Sequence, residues 1–277
     1  MNRIRLFSVL FLSVVLCSAV LPVNAEPGRI LFVDTAEQGK SYLAVMNADG
    51  NGKTRLTPPF LNIVCPRFCA ATGMIGFTHK KADMSSEVYL IKKEGDKLEK
   101  AFDGVNLEGF SPDGKSLLYT TADADSALYI YSFESKRSIK ISDKYKVTAA
   151  DWSPNGEWIA CSILGDAGTN DLLVISTVAQ GIERLTDTPK VDESFPVWAS
   201  DSRRLAFISN ERGMNYVDYI DVVTKKTDSP MIVGMYPRWS LDHQWLTFEA
   251  GRQIGVARAN GLESKPIGRG RCPTWMK

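Results

Sequence analysis

One segment of the sequence matches a phosphate-binding loop in its spacing. GFSPDGKS at 109–116 has the glycines, lysine and serine of the Walker A motif. Such a loop presents consecutive backbone N–H groups to the phosphates and leads into a helix N-terminus. Here Pro112 has no N–H, Asp113 would place a negative charge against a phosphate, and a strand-like apolar run follows at 116–121. The segment is therefore predicted to be a turn before a strand rather than a nucleotide site.

Histidine and cysteine, which supply many general bases and metal ligands in proteins, are sparse in this sequence. His79 and His243 are the two histidines, and nothing marks a nucleophile or an orienting acid for either of them. No G-x-S-x-G nucleophile motif is present. Cys65 and Cys69 form a close pair, but a zinc site needs a second pair of ligands, which the sequence does not supply. We therefore predict no catalytic residue, no metal site and no cofactor.

The first 25 residues have the pattern of a cleaved secretory signal peptide. Arg3 and Arg5 precede an apolar run at 6–21, and the residues at 23–25 suit a signal peptidase. The apolar run is also close to the length of a membrane anchor, and Cys17 would be the attachment site in a lipoprotein. We favour cleavage, because a proline and a cleavage-like site follow the run.

Cleavage leaves a mature domain at 26–277, which we expect in the periplasm or secreted. No other segment is apolar enough to span a bilayer, so no stable membrane insertion is expected after cleavage. The net charge of +1 provides no long-range field to attract nucleic acid, and we predict none as a partner.

The rest of the chain repeats one pattern, in which an aromatic residue is followed by a four-residue turn and an apolar strand. The aromatic anchors are Phe68, Phe110, Trp152, Trp198, Trp239 and Trp275. Each repeat of about 42 residues reads as four short strands, which is typical of a propeller blade. The mature length accommodates six such repeats.

The two ends of the chain supply complementary parts of one repeat. Trp275 belongs to a first strand with nothing after it, whereas Gly28–Val33 reads as a second strand with nothing before it. Pairing them would close the ring and remove a free sheet edge. The sequence thus predicts an all-β, six-bladed β-propeller, its ring closed by a blade shared between the N- and C-terminal strands.

These repeats resemble a known family. The turns at 110–114 and 152–156, with the segments Met46–Gly50 and Glu183–Thr186, look like the WD40-like (PD40) repeats of TolB-type propellers. The resemblance covers roughly 28–277. That family includes periplasmic scaffolds that bind envelope lipoproteins and propellers attached to peptidases. The resemblance implies the fold and, for function, binding of another macromolecule.

The links that enter the first strand of each blade should line the mouth of a central funnel. Loops on a rigid scaffold often carry function. The predicted partner-binding residues at this mouth are Asn62, Lys146, Asp192, Glu193, Arg269 and Arg271. We expect an acidic side, from Asp192 and Glu193, and a basic side, from Arg269 and Arg271.

Together these features predict a non-catalytic, monomeric protein–protein interaction module that binds a protein partner of the cell envelope. The alternative is a propeller enzyme or glycan-binding protein with its site in the funnel. That alternative expects histidine, glutamate or metal ligands on successive blades, and the sequence offers only Asp192 and Glu193.

Four cysteines remain after cleavage, and one pair is placed to form a disulfide. Cys65 and Cys272 each lie three residues before an anchor and are each followed by proline, so they hold equivalent positions on adjacent blades. An oxidising compartment permits the bond. Cys65 and Cys69 are too far apart along a strand to pair with each other. Cys161, in an apolar strand, is expected to be a buried free thiol.

Overall fold

Short strands make up most of the residues that the structure, a computed structural model, describes. Those residues are 28–60, 62–92, 94, 96–142, 144–179 and 181–276, so the predicted signal peptide at 1–25 lies outside them. The strands are β1 (Arg29–Thr35), β2 (Ser41–Asn47), β3 (Thr54–Arg55), β4 (Ile63–Phe68), β5 (Ile75–Lys80), β6 (Ser86–Ile91), β7 (Glu99–Asp103), β8 (Val105–Phe110), β9 (Ser116–Thr121), β10 (Leu128–Ser132), β11 (Arg137–Ser142), β12 (Val147–Trp152), β13 (Trp158–Leu164), β14 (Asn170–Ser176), β15 (Ile182–Arg184), β16 (Glu193–Trp198), β17 (Arg204–Ser209), β18 (Tyr216–Asp221), β19 (Thr227–Val233), β20 (Met235–Trp239), β21 (Trp245–Ala250), β22 (Gln253–Arg258), β23 (Lys265–Arg269) and β24 (Arg271–Met276). A short 3-10 turn, Glu37–Gly39, follows β1.

The strands form six four-stranded antiparallel sheets. Five sheets are consecutive in the chain, β4–β7, β8–β11, β12–β15, β16–β19 and β20–β23, and the sixth has the order β24-β1-β2-β3. The first strands of the sheets, β4, β8, β12, β16, β20 and β24, contact one another in turn around the ring. They are therefore the innermost strands, and the predicted six-bladed β-propeller is confirmed.

The shared blade closes as the sequence indicated. β24 pairs antiparallel with β1, and Trp275 lies opposite Ile30. Since Thr274 and Met276 are buried and Leu31 is fully so, the closing strand is part of the core rather than a loose end.

The core lies between neighbouring blades. Each apolar cluster joins residues of two adjacent sheets; one combines Leu31 and Leu43 of the shared blade with Phe77 of the next. The anchors Trp198 and Trp239 are buried in such interfaces. The period-2 alternation of strand side chains thus supplies two apolar faces to each blade.

The segment with Walker A spacing is the turn between β8 and β9. The Ser111 hydroxyl donates to Asp113, which in turn accepts the Lys115 backbone N–H at 3.0 Å. Gly114 has a φ of +71°, in the left-handed region that favours glycine. The strand β9 follows, as predicted, so these residues serve turn geometry.

Among the residues that the structure describes, no helix has the length and apolarity needed to cross a membrane.

Candidate functional site

The chain enters every inner strand from the same end of the ring. That end consists of the links before the inner strands and the hairpin loops between the second and third strands of each blade, and we call it the mouth face. Loops such as 36–40 and 165–169 lie on it, together with the link at 269–270. The turns between first and second strands, and between third and fourth, form the opposite face.

A cavity of about 370 Å³ opens at the centre of the mouth face. Its walls come from five of the six inner strands, with Val64, Asn106 and Thr148 near the mouth and Arg67 and Arg238 farther along their strands. The funnel expected from the sequence is therefore an open, mixed-polarity pocket, which we call the axial cavity.

Four charged side chains from four different blades interact electrostatically, and all of them except Asp151 line this cavity. They are Arg67, Glu108, Asp151 and Arg238. Burial raises the pKa values of the Glu108 and Asp151 carboxyls, although the neighbouring guanidinium groups oppose the rise. Burial lowers the pKa of Arg67, and that of Arg238 to about 9. The cluster therefore holds ionisable groups at a cost in solvation free energy.

These four residues were not among the predicted site residues, although the repeat register marks three of them. Arg67, Asp151 and Arg238 each stand immediately before an aromatic anchor. Glu108 stands two residues before its anchor, where the pairing of β8 with β9 shifts register between Leu107 and Gly109. Charged residues recurring at one position of an otherwise apolar repeat are thus the signal that could have found them.

The inner strands carry irregularities just above this cluster. Register shifts occur in all six, for example between Ser194 and Val197 and between Met235 and Arg238. Phe195, Tyr236 and Cys272, each followed by proline, have φ values near +50°. Such backbone costs about 1–3 kcal/mol per residue, and strain of this kind clusters at functional sites.

The residues at these irregularities meet across neighbouring blades. Phe195 and Tyr236 pack edge to face with ring centroids 4.7 Å apart. Cys65 and Cys272 form a disulfide, with their Cα atoms 5.0 Å apart. Cys272 has a positive φ and Cys65 does not, so the two cysteines differ in backbone conformation although they hold equivalent repeat positions.

The other two cysteines, Cys69 and Cys161, are buried and free. Burial also raises the pKa of the Cys161 thiol.

A second depression, which we call the basic groove, lies on the mouth face between the blade β20–β23 and the shared blade. Its volume is about 620 Å³. Four cationic side chains line it, namely Lys40, Arg252, Arg269 and Arg271. None of them forms a side-chain hydrogen bond or ion pair with a described residue, and the three arginines are exposed. Arg271 also interacts electrostatically with the Glu249 carboxylate, and the groove as a whole carries an excess of positive charge.

The one carboxylate lining the basic groove has partners of its own. Asp34 is ion-paired with Lys53 and accepts a hydrogen bond from the Tyr42 hydroxyl at 2.7 Å. These contacts hold the pKa of Asp34 below its ordinary value despite its burial. Its charge is therefore not available to neutralise the arginines.

Four of the predicted partner-binding residues are exposed on the mouth face. Arg269 and Arg271 are brought together in the basic groove. Asn62 and Lys146 stand at the mouth, where their carbonyls accept the N–H groups of Lys80 and Leu164, at 2.9 Å each.

The predicted acidic side of the mouth requires correction. Glu193 is only 6% exposed and accepts a hydrogen bond from Thr188 Oγ1 at 2.9 Å, and burial raises the pKa of Glu193. Asp192 is partly exposed, but its Oδ1 accepts both the backbone and side-chain N–H groups of Asn170. Glu193 is thus a buried structural residue, because the start of β16 turns its side chain inward rather than towards solvent. Charge reversal there is expected to destabilise the fold.

The two histidines are structural in different ways. His79 is largely buried beside Glu87 and Phe60, with Nδ1 3.3 Å from the Glu87 carboxylate. His243 is half-buried in the turn between β20 and β21, and its Nδ1 accepts the backbone N–H of Ser200 on the adjacent blade at 3.0 Å. No cluster of three His, Cys, Asp or Glu residues able to hold a metal occurs in the described part of the chain.

The inter-blade hydrogen bond of His243 predicts a pH dependence of stability. Burial lowers the pKa of His243, and only the neutral ring can accept from Ser200. Because the folded pKa lies below the unfolded value of about 6.5, stability is fully present above that pH and is lost as the pH falls through the folded pKa. We expect the melting temperature to drop between pH 7.5 and pH 5.

His243→Asn should reduce the drop in melting temperature between pH 7.5 and pH 5, because an amide oxygen can accept the same N–H without titrating. Asparagine also tolerates the local φ of +56°. Melting curves across the pH range measure both proteins. Parallel profiles would show that His243 does not contribute.

Comparison with solved structures identifies the class of fold. TolB from Acinetobacter baumannii is similar with a TM-score of 0.79 and 18% identity, over 91% of this chain and 68% of that one. A TolB-like protein from Agrobacterium tumefaciens is similar with a TM-score of 0.67 and 14% identity, over 88% of this chain and 90% of that one. The tricorn protease is similar with a TM-score of 0.67 and 15% identity, but over only 26% of its own length against 88% of this chain.

The molecule is thus a six-bladed β-propeller with an axial cavity and a basic groove on one face. Its propeller is TolB-like, as the repeats indicated. No family model matches the sequence, and no curated protein matches it.

Proposed function

We propose that this protein is an exported, non-catalytic interaction module of the bacterial cell envelope that binds a protein partner on its mouth face. The basic groove is the observation that carries the proposal. Three exposed arginines and a lysine converge there, and none of them forms an ion pair with a described residue. Clustered like charges are unfavourable in isolation, and they speed and orient the docking of an oppositely charged surface.

Other features of the same face favour a macromolecular ligand. The axial cavity and the basic groove open on one side of the ring, and Arg271 lies next in the chain to Cys272, which is bonded to Cys65 in the cavity wall. Similarity to TolB structures supports the same role by analogy of fold. The predicted signal peptide at 1–25 supports a periplasmic location.

An enzymatic or glycan-binding role is the second candidate, because the tricorn protease contains a propeller of similar fold. The pocket chemistry favours it less. Glu108, which lines the cavity, and Asp151 accept hydrogen bonds from protein donors, and neither histidine lines the cavity.

A charge-reversal experiment tests the proposal. The mature chain carrying Arg269→Glu with Arg271→Glu is immobilised and exposed to envelope extract, and captured proteins are quantified by mass spectrometry. Since rim charges mainly change association rates and salt dependence, we expect capture of the partner to fall at least about tenfold at low salt. Folding should be unaffected, because exposed substitutions usually change stability by only about ±0.5 kcal/mol.

Lys136→Glu with Arg137→Glu is the matched control. Both residues are exposed on the opposite face and have no ion pair with a described residue, so the change in net charge is the same. The control should capture the same proteins as the original chain. Equal capture by all three proteins would exclude the mouth face as the binding site.

A further inference from the structure

We infer that the axial cavity is a carboxylate-binding site, in which Arg238, Arg67 and Lys80 receive an acidic side chain of an extended peptide segment of the partner. That the acidic side chain belongs to a protein partner rests on the proposed function. The site itself rests on the residues that line the axial cavity.

The guanidinium of Arg238 is the central feature of this site. It lines the axial cavity and forms no hydrogen bond or ion pair with a described residue. An arginine has five N–H donors in a planar fork, and leaving them without acceptors in a half-enclosed pocket is costly. A second guanidinium, that of Arg67, is near enough to depress the pKa of Arg238 further. Arg67 donates from Nε to the Glu108 backbone carbonyl and from Nη1, at 3.5 Å, to the carbonyls of Cys65 and Pro66, so its Nη2 remains without an acceptor among the described residues. That group and the Arg238 fork can bind the two oxygens of a carboxylate.

The acidic residues of the cluster form no ion pair with Arg238, and three of their four carboxylate oxygens accept other hydrogen bonds. Glu108 accepts from Thr120 Oγ1 at 3.0 Å and from the backbone N–H of Ala150 at 3.1 Å. Asp151 Oδ2 accepts the backbone N–H of Trp198 at 2.9 Å. Both carboxyls are thus oriented by neighbouring backbone and hydroxyl donors, and the guanidinium of Arg238, which lines the cavity, has no acceptor among the described residues.

The remaining walls suit a side chain that enters from the mouth. Lys80 adds a third cationic group, and burial lowers the pKa of its amine. Phe195, Tyr236 and Leu107 provide apolar surface for the methylene groups of an aspartate or glutamate. The volume of about 370 Å³ is at the small end of ligand pockets, which fits one or two side chains rather than a folded domain.

The experiment uses the mature chain and a blocked peptide, acetyl-Gly-Glu-Glu-Gly-amide, with its glutamine counterpart as comparison. Binding is followed by calorimetry and by the NMR signals of the arginine Nε–H groups. We expect saturable shifts of the Arg67 and Arg238 signals with the glutamate peptide, and binding at least about tenfold weaker with the glutamine peptide.

Two substitutions separate ligand binding from a purely structural role. Arg238→Gln should weaken peptide binding at least about tenfold, whereas Arg137→Gln, the same charge change on the opposite face, should leave it within about twofold. Glu108→Gln should strengthen binding several-fold, because it removes a negative charge from the cavity while an amide can still accept from Ala150 and donate to Thr120. Strengthening cannot result from damage to the fold, so this variant decides the matter even if Arg238→Gln misfolds.

Absence of shifts at Arg67 and Arg238, equal binding of the glutamine peptide, or unchanged affinity in both cavity variants would overturn the inference. Saturation by free glutarate but not by the peptide would also overturn it, since the ligand would then be a small acid. Because only purified components are used, these results are independent of whether envelope extract yields a partner.

Discussion

Removal of residues 272–277 is expected to abolish cooperative folding of the propeller. This deletion strips most of β24, the inner strand of the shared blade, which pairs with β1 and contacts both β4 and β20. Cys272, Thr274 and Met276 are buried, and Pro273 with them. Burying four or five such side chains contributes about 10 kcal/mol, comparable with the whole stability of a typical domain, about 5–15 kcal/mol. The loss would also expose Ile30, Leu31 and the edge of β1.

Thermal and urea unfolding, followed by far-UV and near-UV circular dichroism, measure this effect. A circular permutant is the matched control: Met276 is joined to Gly28 by a short linker, and new ends are opened between Ala167 and Gly168 in an exposed hairpin loop. It keeps every strand and should melt near the temperature of the original chain. A truncated protein that melts cooperatively at the original temperature would refute the closing role of β24.

Removal of the disulfide between Cys65 and Cys272 is expected to have the second large effect on stability. The bond links residues 207 positions apart, so in the unfolded chain it restricts nearly the whole propeller. The loop-entropy relation gives roughly 5 kcal/mol for a loop of that length, as an upper value. We expect Cys65→Ser with Cys272→Ser to lower the urea midpoint by a corresponding amount, because the constraint on the unfolded chain is removed.

Reductant provides the internal control. It should lower the midpoint of protein purified under oxidising conditions, and leave the doubly substituted protein unchanged, because the remaining thiols, Cys69 and Cys161, are buried and free. Free thiols at both Cys65 and Cys272, mapped in peptides from periplasm-purified protein, would contradict the prediction. So would midpoints that do not respond to reductant.

The amino-acid sequence by itself determined the parts of this protein that depend on local order. Aromatic anchors and turns such as that at 110–114 specify hairpins, because proline, aspartate and glycine fix the backbone there. Alternating apolar residues specify strands with two buried faces. The split repeat marked by Trp275 and Ile30 specified how the ring closes, and equivalent repeat positions singled out Cys65 and Cys272. These features need only neighbouring residues and a count of repeats.

Only the tertiary structure decided which side chains share a site. Arg67 and Arg238 are 171 positions apart in the sequence and face one cavity, since the ring places the inner strands of distant blades side by side. Lys40 and Arg252 likewise join Arg269 and Arg271 only when the ring closes. Register shifts in the inner strands change which residues point to the axis, and a one-residue shift turns a side chain to the other face of a strand. Arg238 follows such a shift in β20 and lines the cavity, whereas Glu193 is buried at the start of β16.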